Sequence, residues 1–370
     1  MDFEFSADQE ALGATVRRFL ADKAPIDPYV RGQLGEVKGT SPDVWRGLVD
    51  LGVVGLLVPE TWGGAGMGMV DMGVVLQEMG RVVHPGPFLS SAVGAVSAIV
   101  AAGEEWDRDA WLPVLADGSA IGTVALFEES TRGSWRAPTT SSRSSPDGWR
   151  LSGVKTPVLD AASADCLLVS AATDEGIGLF VVEPGAPGLV IQPLPTVDGT
   201  RKQAHVTLDA TPATRLGSRD ASDALAEVVD RLLIAMVTDA VGTAERSLEI
   251  AVAYAKERIQ FDRPIGAFQA VQHLCADMLQ SVEMARAGAY YALWAADAAP
   301  PDERHRAATM AKAFAGDALF RVGANTIQVL GGVGFTWEHD AHLYYKRLMS
   351  LHDLFGVPSE HLEELAALIV

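Results

Sequence analysis

Basic residues are scarce in this chain: 29 lysines and arginines face 48 aspartates and glutamates, for a net charge of −19 and a pI near 4.8. A surface of that sign repels a phosphate backbone, which excludes nucleic acid as a partner class. An anionic ligand such as a nucleotide needs a local basic site set against that field, so individual Arg and Lys residues become informative. Cysteine is rarer still. Cys166 and Cys275 stand far apart with no metal-ligand spacing, so neither a disulfide framework nor a zinc site is expected, and a reducing compartment fits. Long apolar runs are missing too: stretches such as Leu51 to Pro59 fall well short of the roughly 18 to 20 residues that cross a bilayer. The opening residues Met1-Asp2-Phe3-Glu4 are acidic and lead into an amphipathic segment instead of a basic, then apolar, leader. Together these absences predict a cytoplasmic protein with no membrane contact.

What is present is a large stock of apolar side chains. At 370 residues, 48% hydrophobic and 21% charged, the chain is too long for one ordinary core and predicts two or three packed units. Ser6 and Gln9 have capping-box spacing, and Leu12, Val16, Phe19 and Leu20 recur after them at helical intervals. Ser41-Pro42 offers a second helix start, with Trp45, Leu48 and Val49 on one face. A Gly-rich run from Trp62 to Gly66 separates it from a helical pattern around Val75 to Met79. Residues 1–118 therefore read as a helical domain.

Near Ile121 the texture changes. Leu167 to Ala171, Leu179 to Glu183 and Leu189 to Gln192 read as strands, punctuated by the turn dipeptides Pro184-Gly185 and Pro187-Gly188. Residues 119–218 are expected to form a small antiparallel sheet or barrel. From Ala221 the helical period returns, with Leu225, Val229, Leu232, Leu233 and Met236 on one face of a long helix running toward Lys256. Pro264 is expected in the first turn of a further helix, Phe268 to Met284 is periodic, and Pro300-Pro301 breaks the pattern before Ala307 to Leu330 resumes it. Residues 219–370 thus predict a helical bundle with one face left for other subunits, and the fold class is α+β.

Two motifs carry chemistry. The first runs from Tyr254 to Gln272 and includes Arg258, Phe261, Asp262-Arg263-Pro264-Ile265-Gly266 and Gln269. The second is Gln328-Val329-Leu330-Gly331-Gly332-Val333-Gly334-Phe335. The first places an arginine at a helix end beside a turn. A guanidinium there suits a pyrophosphate through its planar donor fork, and an aromatic ring suits a flat cofactor surface. A plainer reading makes Arg258 a helix cap, Gln269 a solvated residue and Gly331-Gly332 a helix terminator.

Both motifs, at this separation and within a helix-sheet-helix layout spanning the whole chain, resemble the acyl-CoA dehydrogenase family. The resemblance implies its fold: an N-terminal helical domain, a middle antiparallel β domain and a C-terminal four-helix bundle. It also implies FAD as cofactor, an acyl-CoA substrate, and a dimer or tetramer of this chain or with a homologous subunit. Arg258, Phe261, Gln269, Gln328, Gly331 and Gly332 take the roles of FAD-binding residues on the adenosine side of a site that crosses a subunit boundary. In the family a glutamate removes the α-proton of the thioester as the flavin accepts the β-hydride. If Arg347 is the family's marker arginine, that glutamate falls here on Gly356. The family's other location falls on Leu232. Neither side chain takes a proton; a shift of one or two residues brings Asp230 or Asp353 to these places.

The β domain departs from the family pattern as well. A Thr-Glu-Pro loop that contacts the flavin ring reads Phe127-Glu128-Glu129, and a Trp-x-Thr stretch after Gly153-Val154-Lys155 reads Pro157-Val158-Leu159. Asp198-Gly199-Thr200-Arg201 resembles a turn that the family pins with an Asp-Arg pair. Trp337-Glu338-His339-Asp340 and His342 form a polar cluster without metal-site spacing, better suited to capping the helix that follows. His352 and Asp353 offer an acid/base pair or a solvated loop end. The functional expectations are an acyl-CoA dehydrogenase acting in a heteromer with a catalytic partner, a non-catalytic subunit that completes a partner's FAD site, or a flavin monooxygenase or nitroalkane-oxidase-like enzyme on the same fold.

Overall fold

The computed structural model describes residues 5–131 and 134–369. In chain order it comprises α1 (Ala7–Lys23), a single turn α2 (Arg31–Gln33), α3 (Pro42–Asp50), α4 (Met69–Arg81), α5 (Val96–Ala102) and α6 (Glu105–Ala116). Strands β1 (Gly122–Ala125), β2 (Ser141–Ser145), β3 (Gly148–Leu159), β4 (Cys166–Thr173), β5 (Gly176–Val182), β6 (Leu189–Pro193) and β7 (Gln203–Leu216) follow. The long helix α7 (Ser222–Glu257) leads to the two-residue strands β8 (Ile259–Gln260) and β9 (Arg263–Pro264), then to α8 (Gln269–Ala298), α9 (Pro301–Leu330), α10 (Ala341–Asp353) and α11 (Pro358–Ile369). The chain divides into two compact units, one built from Gly32–Met72 and Pro85–Leu232 and the other from Met1–Arg31, Gly73–His84 and Leu233–Val370.

The first unit is organised by a seven-stranded sheet in the order β1-β4-β2-β3-β7-β5, with β6 on β7 and a further β4–β5 pairing. Its core gathers Leu151, Val158, Leu167, Val169, Phe180, Val182, Val206 and Leu208, with Trp149 tilted against Phe180 at 5.3 Å. Burying a ring the size of Phe180 contributes about 1.5–3 kcal/mol. The sheet is mainly antiparallel, with two departures from the sequence expectation: β1 runs parallel to β4, and β2 meets β4 in parallel at Ser141 and Ala172. Between β1 and β4 the chain reverses twice, once at the β2–β3 hairpin and again between Leu159 and Cys166, so β4 runs in the same direction as β1. The strands read from the sequence recur as β4, β5 and β6, and Gly185 and Gly188 take φ of +80° and +81° in the turns between β5 and β6. At the Asp198–Arg201 turn, the Asp198 carboxylate accepts the Thr200 N–H at 3.0 Å, and the Arg201 N–H donates to the Asp198 carbonyl at 3.1 Å.

The second unit is helical. Ser6 caps α1 in a capping box with Gln9, as the sequence predicts. Helices α4 and α7 cross with their backbones in contact, and two glycines permit it. A Cβ on Gly80 would meet the Asp239 carbonyl at 1.9 Å, and one on Gly242 would meet the Gln77 carbonyl at 1.9 Å. Thr243 Oγ1 donates to the buried Gly80 carbonyl at 3.0 Å, so the close approach also satisfies a backbone acceptor. Helix α8 runs unbroken up to Pro300-Pro301, where α9 begins, and α9 carries a nearly continuous buried face from Ala307 to Leu330.

Candidate functional site

Helix α7 stops at Glu257, and the Arg258 N–H still donates to the Tyr254 carbonyl at 2.8 Å. The chain then reverses at Phe261 and Asp262, whose φ angles of +54° and +61° make the kind of turn that joins two short strands. The Ile265 N–H closes this hairpin on the Arg258 carbonyl at 2.8 Å. The sequence expectation that Pro264 opens a helix is corrected here. With φ −56° and ψ 139°, Pro264 is extended, a single 3₁₀ turn follows, and α8 begins at Gln269. Arg258 and Gln269 are exposed, and Phe261, 85% exposed, meets Phe268 edge-on at 6.0 Å.

The second motif ends α9. Gly331 is the helix terminator with φ +63°, its N–H returning to Gln328 and Ile327 carbonyls. This part of the plainer reading is correct, and it does not exhaust the residue. Gln328, Gly331 and Gly332 are exposed, and a Cβ added at either glycine would meet nothing within 4 Å. Open backbone at such a turn can be approached closely by a ligand. Tyr254, one helical turn before Arg258, packs with Ile250 and Tyr345 against Ile327, Leu330 and Ala341. Ser247 and Thr326 hydroxyls join the same two helices at 2.9 Å. The structure therefore brings the two motifs side by side, and all six residues are exposed on them.

Sequence reasoning missed what holds the following loop. The exposed Trp337 ring stacks on His342 at 4.7 Å with Lys346 5.0 Å from its centroid, and Arg31 donates to the Trp337 carbonyl at 2.8 Å and to Asp340 at 2.7 Å. His339 Nδ1 accepts the Ala341 N–H at 3.0 Å and so caps α10, which is the role the polar cluster suggests. The long-range partner Arg31 left no local signal.

Arg347 is buried and structural. Its guanidinium binds Asp239 at 2.9 and 3.1 Å and donates to the Val83 and His84 carbonyls at 3.1 and 3.0 Å. Nine residues on, the loop after α10 is held by side chains from two helices. Buried Lys312 donates to the Leu351 and Gly356 carbonyls at 2.7 and 2.8 Å, His361 Nε2 meets the Phe355 carbonyl at 3.0 Å, and Glu360 accepts the Val357 N–H at 3.0 Å. Burial pushes the Lys312 ammonium down to about 8. Phe355 and Gly356 take φ of +60° and +102°, and a Cβ on Gly356 would lie 2.9 Å from His361 Nε2. Asp353 is exposed and bound to His352 Nδ1 at 2.7 Å. In the sheet-containing unit, Leu232 and Asp230 are both buried on α7, and a Cβ on Gly94 would touch Leu232 at 3.4 Å.

Also in that unit, Glu128 and Lys155 form a buried ion pair. Lys155 Nζ donates to Glu128 at 2.6 Å, to Ser170 at 3.0 Å and to the Leu126 carbonyl at 3.3 Å. Glu128 further accepts the Thr139 and Thr140 N–H groups at 2.8 and 3.1 Å and both their hydroxyls. Burial alone would raise the Glu128 carboxyl, but hydrogen bonds from Lys155 and Thr139 outweigh it and hold the group at about 2, below its ordinary 4.5. Burial pushes Lys155 down to about 8 against the pull of Glu128. A depressed carboxyl contributes stability above its unfolded value and loses it as pH falls through the folded one. We therefore expect about 3 kcal/mol to vanish between pH 4.5 and 2. Glu128→Gln should flatten that acid limb in urea midpoints measured against pH; parallel losses in parent and variant would contradict it. The neighbouring Phe127, Val158 and Leu159 are buried, apolar and lack a side-chain hydroxyl.

Helices, a sheet and then long helices follow one another along the chain, and the Arg258 hairpin and the open Gly331-Gly332 turn end two helices that pack together. Family models for the N-terminal, middle and C-terminal domains of acyl-CoA dehydrogenase match residues 6–119, 123–211 and 226–366. The chain belongs to the acyl-CoA dehydrogenase family, FAD-dependent oxidoreductases. It is 32% identical to acyl-CoA dehydrogenase IpdE2 of Mycolicibacterium smegmatis, over 98% of this chain and 99% of that one. It is 36% identical to acyl-CoA dehydrogenase FadE34 of Mycobacterium tuberculosis over 98% of its own length, yet spans only 48% of that relative. Among solved structures, the Tcur3481-Tcur3483 steroid ACAD variant superposes with a TM-score of 0.90 at 35% identity, covering 98% of this chain and 97% of that one. The ChsE4-ChsE5 complex from Mycobacterium tuberculosis does so with 0.90 at 28% identity, covering 100% and 99%. Among the described residues no helix is long and apolar enough to cross a membrane.

Proposed function

We propose that this chain is the accessory subunit of a heteromeric, cytoplasmic acyl-CoA dehydrogenase, lending the adenosine half of an FAD site to a catalytic partner. One contrast carries the reading. The adenosine-side residues are kept and exposed, whereas the positions for the ring contacts and the base carry side chains that cannot do that work. Arg258 would pair with the FAD pyrophosphate, Phe261 would lie against the cofactor, Gln269 and Gln328 would hydrogen-bond it, and Gly331 and Gly332 would let the backbone come near. The open space over both glycines fits such a group. Ring-side fit is poor: buried Leu159 replaces a hydroxyl donor, Pro157 replaces an aromatic ring, and Gly356 has nothing to take a proton.

When bound, FAD supplies the hydride acceptor; the partner's glutamate would supply the base, and this chain's part is to bind and orient. Asp230 and Asp353 support no alternative base, since one is buried within its own unit and the other is exposed and engaged by His352. Two similar proteins, the Tcur3481-Tcur3483 steroid ACAD and the ChsE4-ChsE5 complex, each pair two polypeptides, which supports a partner of the same family, and the steroid enzyme supports a bulky acyl group. The division of the chain into domains 1–118, 119–218 and 219–370 belongs to the same reading.

The test is FAD per polypeptide from absorbance near 450 nm. We expect little flavin in the chain purified alone, and about one FAD per pair of chains after co-expression with a homologue that carries the glutamate. One FAD per chain in isolation, bleached by an acyl-CoA, would overturn the proposal.

A further inference from the structure

The sheet-containing unit holds a cavity of about 290 Å³ between the segment that follows α2 and the connection from β6 to β7. Leu34, Val37, Leu194 and Pro195 make its wall largely apolar, and the charged side chains on that wall are one of each sign, Lys202 and Glu36. The Lys202 ammonium donates to the Gln33 and Leu34 carbonyls at 2.9 and 3.0 Å, which leaves one of its three N–H donors without a protein acceptor among the described residues. Gly39 makes room for this placement: it takes φ of +68°, and a Cβ there would lie 2.8 Å from Lys202 Cε. Asp160, Asp198 and Glu36 pull on the ammonium from farther off, yet none forms an ion pair with it, and burial pushes the group below its ordinary value. Asp160 is engaged by the Ser90 hydroxyl at 2.7 Å and Asp198 by the Thr200 N–H at 3.0 Å. Glu36 is exposed, and neither its carboxylate nor the Gln203 carboxamide, also on the wall, has a hydrogen-bond partner among the described residues.

We propose that this cavity binds a small aliphatic α-amino acid, with its carboxylate on Lys202 and Gln203, its ammonium toward Glu36 and its side chain against Leu34, Val37 and Pro195. The volume lies at the lower end of small-molecule sites, which suits a ligand of that size. Charge selects the class. A half-buried ammonium without an ion-pair partner gains from a carboxylate, and a hydrogen bond between charged groups is among the strong ones. A plain carboxylate would also meet the repulsion of a chain of net charge −19, whereas a zwitterion brings no net charge and matches both charges on the wall. The site uses none of the residues assigned to FAD, so its occupancy is read independently of the flavin.

The experiment is titration calorimetry of L-leucine, 4-methylpentanoate and 3-methylbutylamine into the chain and into its mixed complex. Leucine is expected to bind, 4-methylpentanoate, which lacks the ammonium, to bind about tenfold more weakly, and the amine, which lacks the carboxylate, to give no measurable heat. Glu36→Gln, at an exposed position where substitution costs the fold little, should weaken leucine by about tenfold and leave 4-methylpentanoate no weaker. Lys202→Met should abolish leucine binding; because Lys202 also ties down Gln33 and Leu34, a melting curve accompanies that variant. Lys38→Met, an exposed neighbour off the cavity wall, should bind as the parent does. A parent that binds no leucine, equal affinity for leucine and 4-methylpentanoate, or unchanged leucine affinity in Glu36→Gln would overturn the proposal while leaving the FAD stoichiometry untouched.

Discussion

Lys155→Met should lower the stability of the protein by about 3–5 kcal/mol, the usual cost of removing one partner from a buried ion pair. Lys155 is fully buried and Glu128 nearly so, and the carboxylate left behind would keep the Thr139 and Thr140 donors but lose the Lys155 ammonium. A loss of that size moves a melting temperature by roughly 10 °C in a protein unit of this length. Lys155→Met combined with Glu128→Gln should recover much of it, because the second change removes the stranded charge. Thermal melts of the parent, single and double variants decide the matter. A single variant that melts within a degree or two of the parent would mean the pair is not buried in solution.

Arg258→Glu should strip FAD from the mixed complex without destabilising the chain. The side chain is exposed and has no protein partner among the described residues, so its replacement costs the fold little. Hydrogen bonds to a charged group contribute about 1.5–3 kcal/mol, and the introduced carboxylate repels the pyrophosphate, so flavin affinity should fall by at least about 10- to 100-fold. Flavin absorbance per pair of chains, with a melting curve beside it, separates a binding effect from unfolding. Arg258→Lys should retain part of the flavin, since it keeps the charge but not the planar fork. Full FAD occupancy in Arg258→Glu would remove this residue from the cofactor site.

Much of the fold was legible because its signals are local. The Ser6–Gln9 capping box, the Ser41-Pro42 start, the apolar face from Leu225 to Met236 and the break at Pro300-Pro301 each act within a few residues, where sequence spacing and spatial spacing coincide. Pro264 was misread because its helical preference is only one use of a fixed φ; the positive-φ pair Phe261-Asp262 had already committed the chain to a hairpin. The parallel pairing of β1 with β4 was equally hidden, since strand direction depends on how many reversals lie between two strands.

The sequence by itself determined the class: its charge weighed against nucleic acid, and two long motifs identified the family. Only the tertiary structure decided how these residues stand. Tyr254 packing on Ile327 sets Arg258 beside the Gly331-Gly332 turn, Lys312 and His361 hold the loop at Gly356, and Arg143 faces Arg150 across a hairpin. Each of these depends on groups meeting in space that are separated along the chain, or on which face of a strand is turned outward. Packing and register supply that information, and no short window of sequence contains it.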